Sequence, residues 1–164
     1  MTQSISAARY RRPLLGLVVG LSALLTLPAL AASPVFDNPA GGNPIGGMSV
    51  YKAFHEQPGI DRVIDDSVER WVADPRISKR FEGRNLVRLR LELKAQVCYL
   101  VGGPCTYAGK DMKAAHAGMG LENLDFNALA EDLQLAMNRE HVPFPAQNQL
   151  LAKLAPMQHA IVTK

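Results

Sequence analysis

Apolar residues recur at helical spacing in four separate segments of this chain, and no segment alternates apolar with polar residues for more than a few positions. A chain patterned this way buries its hydrophobic surface by packing helix on helix. Ile60, Val63, Ile64, Val68 and Trp71-Val72 form the first stripe, with Asp61, Asp65, Asp66, Glu69 and Arg70 between them. Pro58 sits near its start and Pro75 follows its end, where a residue without an N–H is tolerated. Leu86, Leu89, Leu93, Gln96-Val97 and Leu100 form the second, ended by Gly102-Gly103-Pro104. Phe126, Leu129, Ala130, Leu133, Ala136 and Met137 form the third, starting near Asn123 or Asp125. Leu150, Leu151, Leu154, Met157, Ile161 and Val162 form the fourth, after the breaks at Pro143 and Pro145. A short helix around Ser49 to Phe54 precedes them, and a turn of helix around Met112 to His116 interrupts them. The expected fold class is all-α, with helices packed in pairs.

The first 31 residues read as an address. Arg9, Arg11 and Arg12 stand in a segment without acids, Leu14 to Leu27 is uncharged, Pro28 breaks the run, and Ala29-Leu30-Ala31 offers small residues at a cleavage position. This is the three-part layout of a secretory signal peptide, and the apolar run is short of the ~20 residues of a spanning helix. Cleavage implies a periplasmic or secreted protein. The alternative is an uncleaved N-terminal anchor, which would be the chain's one contact with a membrane. Arg11-Arg12 before Pro13-Leu14-Leu15 is compatible with twin-arginine export as well as with an ordinary positive segment. Residues 32–47, rich in Pro, Gly and Asn, read as a flexible linker. Residues 48–164 form the helical domain, large enough for one core.

The signal also accounts for the basic charge. The chain carries 18 Lys and Arg against 15 Asp and Glu, and three of the 18 lie in residues 1–31, which leaves 15 of each sign. A neutral mature chain lacks the net basic surface on which nucleic-acid binding depends.

Few residues are candidates for chemistry. Cys98 and Cys105 are the only cysteines and flank the double glycine. In an oxidising compartment they read as a disulfide, with two reduced, half-buried thiols as the alternative. His55, His116, His141 and His159 fall in no His-Glu-x-x-His or paired-cysteine zinc pattern. The absence of Cys-x-x-Cys-His excludes c-type heme attachment as a motif. No glycine-rich phosphate loop follows a strand, and no carboxylate pair stands out. On the residues alone, His116 reads as a surface or hydrogen-bonded histidine.

The stretch from Gly102 to Gly120 changes that reading. Gly102-Gly103-Pro104, Tyr107-Ala108-Gly109, Met112 and His116, with Gly120 and Phe126 downstream, resemble the group I truncated hemoglobins. There a paired-glycine turn follows the distal helix, and a Tyr-x-Gly and a Met precede the proximal histidine. Ala73-Asp74-Pro75 leads through Ile77 to Phe81, which is similar to the aromatic wedge on the heme face of globins. The resemblance covers about residues 48–164. It implies a two-on-two helical sandwich around a non-covalent heme b, with His116 as proximal ligand of the iron and a diatomic gas as the molecule bound. Phe81, Leu86, Leu89, Leu93, Met112, Val68 and Gln96 are the implied cofactor contacts, and Arg84, Arg88 and Lys113 the candidate propionate partners. An electron donor is the implied protein partner.

The chain departs from the family where the gas would sit. Many members place Tyr on the first long helix and Gln on the distal helix; the corresponding positions here are Val68, Leu89 and Leu93. Oxygen gains from a hydrogen-bond donor more than nitric oxide or carbon monoxide does, and each missing donor is worth ~1–3 kcal/mol. Gln96, one turn beyond Leu93, is a candidate replacement donor, and Tyr99 a second. Gln57-Pro58-Gly59 stands where the family has a glycine pair. Two functions of different class follow. One is an exported gas-binding heme globin, with nitric oxide dioxygenation or peroxidase-like turnover as an enzymatic variant. The other is a cofactor-free exported interaction module that keeps a globin-like scaffold.

Overall fold

The computed structural model describes residues 38–164, and every regular element among them is helical. The expected signal peptide, with the apolar run Leu14 to Leu27, lies outside the described residues. Among those residues, no helix is long and apolar enough to cross a membrane. Seven helices follow in order: α1 Ser49–Ala53, α2 Glu56–Ala73, α3 Leu86–Leu100, α4 Met112–His116, α5 Asn123–Arg139, α6 Phe144–Leu154 and α7 Gln158–Ile161. Two 3-10 turns, Ser78–Phe81 and Ala155–Met157, complete the element order.

The first stripe gives α2 its central place. Ile60, Val63, Ile64, Val68 and Trp71 are all buried, and α2 packs against both α3 and α5. α6 joins the core through Ala146 and Leu150 and touches α1, α3 and α5. The two long pairs, α2 with α3 and α5 with α6, form the expected two-on-two sandwich. α4 is set apart: of its five residues only Met112 is buried, and its main neighbour is α7.

Helix ends follow local chemistry. The Asn85 side chain accepts the Arg88 N–H at 2.9 Å and caps α3. The Asp125 carboxylate accepts the Glu122 N–H at 2.9 Å at the start of α5. The fourth stripe begins earlier than its prolines suggest. α6 starts at Phe144 with Pro145 in its first turn, where the missing N–H would have had no intrahelical partner. Pro156 then divides this stripe, because its ring nitrogen cannot continue the ladder, and a 3-10 turn separates α6 from α7. The altered Gln57-Pro58-Gly59 segment still enters α2: the Gly59 N–H donates to the His55 carbonyl at 3.3 Å.

The expected flexible linker over 32–47 is not what its described part, 38–47, forms. Ala40 is fully buried and Gly41 and Gly42 are buried. The Ile45 N–H donates to the Leu100 carbonyl at 2.9 Å at the end of α3. Gly102 explains the tight passage. It has φ +82°, and a Cβ there would lie 2.5 Å from the Ile45 carbonyl oxygen and closer still to that of Gly47. Only glycine both takes the left-handed turn that ends α3 and lets this segment cross over it.

Candidate functional site

α4 carries His116 at its last position. Asp111 caps the helix by accepting the Ala114 N–H at 2.8 Å. Four residues after Met112, the His116 ring returns to the Met112 carbonyl, with Nδ1 2.8 Å from its oxygen. A carbonyl oxygen only accepts, so Nδ1 carries the proton, and Nε2 is the ring nitrogen left over for a further partner. His116 is thereby half-buried with its ring oriented by this bond, and Nε2 is the nitrogen that could meet a metal. His55, His141 and His159 are exposed.

Phe81 ends the 3-10 turn after α2, half-buried and stacked on Trp71 with ring centroids 5.9 Å apart and planes 12° from parallel. Trp71 is anchored in turn, its Nε1 donating to the Leu129 carbonyl at 3.1 Å. The neighbouring Arg80 grips Asp125 with two parallel bonds of 3.0 and 2.8 Å and also donates to the Met119 carbonyl at 3.3 Å. This pair ties the Phe81 turn to the start of α5 and to the loop after His116. Burial pushes the Asp125 carboxyl up, but the Arg80 guanidinium and the Glu122 N–H outweigh it and hold it below the usual range.

Leu86, Leu89 and Leu93 lie on α3, half-buried and packed at the edge of the core, while Val68 of α2 is fully buried. None offers a hydrogen-bond donor. The Gln96 amide is committed elsewhere, and the Tyr99 hydroxyl is engaged as an acceptor. Gln96 is buried with Nε2 donating to the Ala40 carbonyl at 2.9 Å and facing the Met112 sulfur at 3.4 Å. The Tyr99 hydroxyl accepts from Asn38 Nδ2 at 2.7 Å. To act as the replacement donor, Gln96 would have to withdraw its amide from the Ala40 carbonyl and leave that buried oxygen unpaired. Arg84, Arg88 and Lys113 are exposed, and Arg88 lies 3.5 Å from Glu92.

Cys98 and Cys105 are bonded to each other, their Cα atoms 5.9 Å apart, within the usual span of a disulfide. The bridge ties the last turn of α3 to the loop leading to α4. In that loop the Tyr107 hydroxyl donates to the Lys110 carbonyl at 2.9 Å, and the ring lies over Gly109. The Tyr-x-Gly motif is thus a packed turn. Burial, then the Glu92 and Asp111 charges, push the Tyr107 phenol up.

Trp71, Arg80, Asp125 and the 38–47 segment escaped the sequence reading as parts of this region. Asp125, three residues after Glu122, carries a detectable capping pattern. The segment carries none, since its Pro and Gly content is that of a linker.

The bacterial-like globin family matches residues 49–163. The group 1 truncated hemoglobin of Nostoc commune is 29% identical over 116 residues, covering 71% of this chain and 98% of that protein. That of a Synechocystis species is 29% identical over 116 residues, covering 68% of this chain and 90% of its own length. Among solved structures, the truncated hemoglobin of Tetrahymena pyriformis in its Fe(III) form superposes with a TM-score of 0.67 at 23% identity, covering 70% of this chain and 98% of that one. The 2/2 hemoglobin of a Synechococcus species, solved with covalently attached heme, gives a TM-score of 0.65 at 20% identity, covering 71% and 99%. The shared fold, the match over nearly the whole described helical region and the Gly102 to Gly120 motifs agree, and the chain belongs to the bacterial-like globin family, aligning with its group 1 truncated hemoglobins.

Proposed function

We propose that this protein is an exported heme globin that reversibly binds a diatomic gas beside a mostly apolar distal wall. The observation that carries the reading is the His116 imidazole, whose Nδ1–H is spent on the Met112 carbonyl at 2.8 Å so that Nε2 is free to ligate. The donor set fits a heme: one imidazole oriented by its Nδ1 bond, half-buried apolar side chains on α3 and at Phe81, and exposed cations for a propionate edge. When bound, heme would supply an iron able to take oxygen, nitric oxide or carbon monoxide.

The chain's residues divide the remaining work. His116 would hold the iron. Phe81 and Leu86 would pack on the heme, while Leu89, Leu93 and Val68 would exclude water without offering a hydrogen bond to the gas. Arg84 and Lys113 would neutralise its carboxylates. The proposed attachment is non-covalent; the lack of Cys-x-x-Cys-His excludes the c-type linkage. Residues 1–31 direct export, and an electron donor in the periplasm or outside the cell keeps the iron ferrous. Without a distal donor, oxygen leaves faster and discrimination against carbon monoxide is weaker than in relatives that have one.

The test is an absorption spectrum of the mature protein from heme-replete cells, beside His116→Ala. A Soret band in the wild type that shifts or is lost in the variant is expected. No band in the wild type overturns the heme reading and leaves the cofactor-free scaffold. A band unchanged by the substitution removes His116 as the ligand.

A further inference from the structure

The family match begins at residue 49, yet residues 38–47 are built into the core beside the histidine-bearing helix. Asn38 starts this segment: its Oδ1 accepts the Ala40 N–H at 2.9 Å and its Nδ2 donates to the Tyr99 hydroxyl at 2.7 Å. The Ala40 carbonyl receives the buried Gln96 amide. Gly41, at φ +83°, lies so close to two methionines that a Cβ there would stand 2.6 Å from Met157 Cε and 3.0 Å from Met112 Cγ. Ile45 then pairs with Leu100 and the chain crosses Gly102. Met112 is the only buried residue of α4. Its carbonyl receives the His116 Nδ1–H, and its side chain is packed by Gly41 and faced by the Gln96 amide.

We propose that residues 38–47 are a proximal strap, an addition to the shared globin domain that fixes Met112 and through it the orientation of the His116 ring. A five-residue helix has too few hydrogen bonds to hold itself, so α4 takes its rigidity from what packs on Met112. Ala40, Gly41, Asn38 and Gln96 are therefore positioning residues, acting on the site through Met112. The strap also keeps Gln96 turned toward Ala40 and away from the distal wall. The role in orienting an iron ligand rests on the proposed heme function; the mechanical role does not.

The test uses the full chain with Asn38→Ala and Gly41→Ala, and Asn38→Asp as the conservative control. An aspartate at 38 still accepts the Ala40 N–H and can accept from the Tyr99 hydroxyl, so it should restore the strap. The first readout is hydrogen exchange of the heme-free protein. Exchange of the Ala115 amide, bonded to the Asp111 carbonyl at 2.8 Å, should rise about tenfold in the alanine variants and return in Asn38→Asp, with α5 interior amides unchanged. The second is the iron–histidine stretching band of the ferrous heme-loaded protein, which should shift or broaden in the alanine variants and recover in Asn38→Asp. Wild-type exchange over 112–116 in both alanine variants overturns the strap, as does a rise spread evenly over α2 and α5, which reads as lost global stability. If the wild type takes up no heme, the proposed function falls, and the exchange data alone decide the strap.

Discussion

Reducing the Cys98–Cys105 bridge should cost this domain a definite amount of stability. The bridge joins residues seven apart, so the unfolded chain loses the freedom of a loop of about eight residues. The loop-entropy relation gives about 2.5 kcal/mol at 25 °C. For about 130 residues the unfolding entropy is roughly 0.27 kcal/mol per kelvin, so the melting temperature should fall by about 9 °C. The assay is thermal unfolding of the heme-free mature protein with and without a phosphine reductant, followed by helical circular dichroism. Cys105→Ser serves as the second arm, because Cys105 is half-buried and tolerates a hydroxyl, whereas Cys98 is fully buried. The variant should melt with the reduced wild type and be indifferent to reductant. A fall under about 2 °C would refute the reasoning, since the loop-entropy relation sets the cost near 2.5 kcal/mol. It would mean that the reduced unfolded chain is already confined around this loop.

With heme bound, Leu89→Gln should supply the missing distal donor and slow oxygen dissociation by about 5- to 150-fold, the range of ~1–3 kcal/mol, with little effect on carbon monoxide; equal oxygen off-rates in stopped flow would dismiss the apolar-wall account. Asp132 is buried with an oxygen that lacks a hydrogen-bond partner, and burial, then the Asp74 charge, push its carboxyl up. The folded state therefore holds this proton more tightly than the unfolded state, so stability falls as pH rises from the unfolded value near ~4 through the raised folded value. Asp132→Asn should raise the denaturation midpoint at pH 7 and lose that advantage at acid pH, where wild-type Asp132 is protonated; a gain independent of pH would show that the charge is not the cause.

The helical class, the order of the long helices and the Met112–His116 turn were legible because each is local. A stripe at 3.6-residue spacing forms a helix wherever it finds an apolar partner, and Met112 and His116 meet because they are four apart on one turn. The start of α6 was misread for an equally local reason: Pro145 looks like a breaker, although the first helical turn accommodates it. Gln96 was harder to place. Its position one turn beyond Leu93 is compatible with the distal wall, and only a partner 56 residues away, the Ala40 carbonyl, shows where the amide is committed.

The amino-acid order by itself determined the helices, the Met112–His116 contact within one turn and the lack of donors at Val68, Leu89 and Leu93. Each of these follows from side-chain type and short-range spacing. Tertiary structure alone decided that 38–47 is a packed strap, that Arg80 clamps Asp125, and that Gln96 faces Ala40. The physical reason is that a Pro- and Gly-rich segment has the same composition whether solvated or docked. What distinguishes the two is whether its backbone groups find partners, and for Ala40 and Ile45 those partners are Gln96 and Leu100, more than 50 residues along the chain.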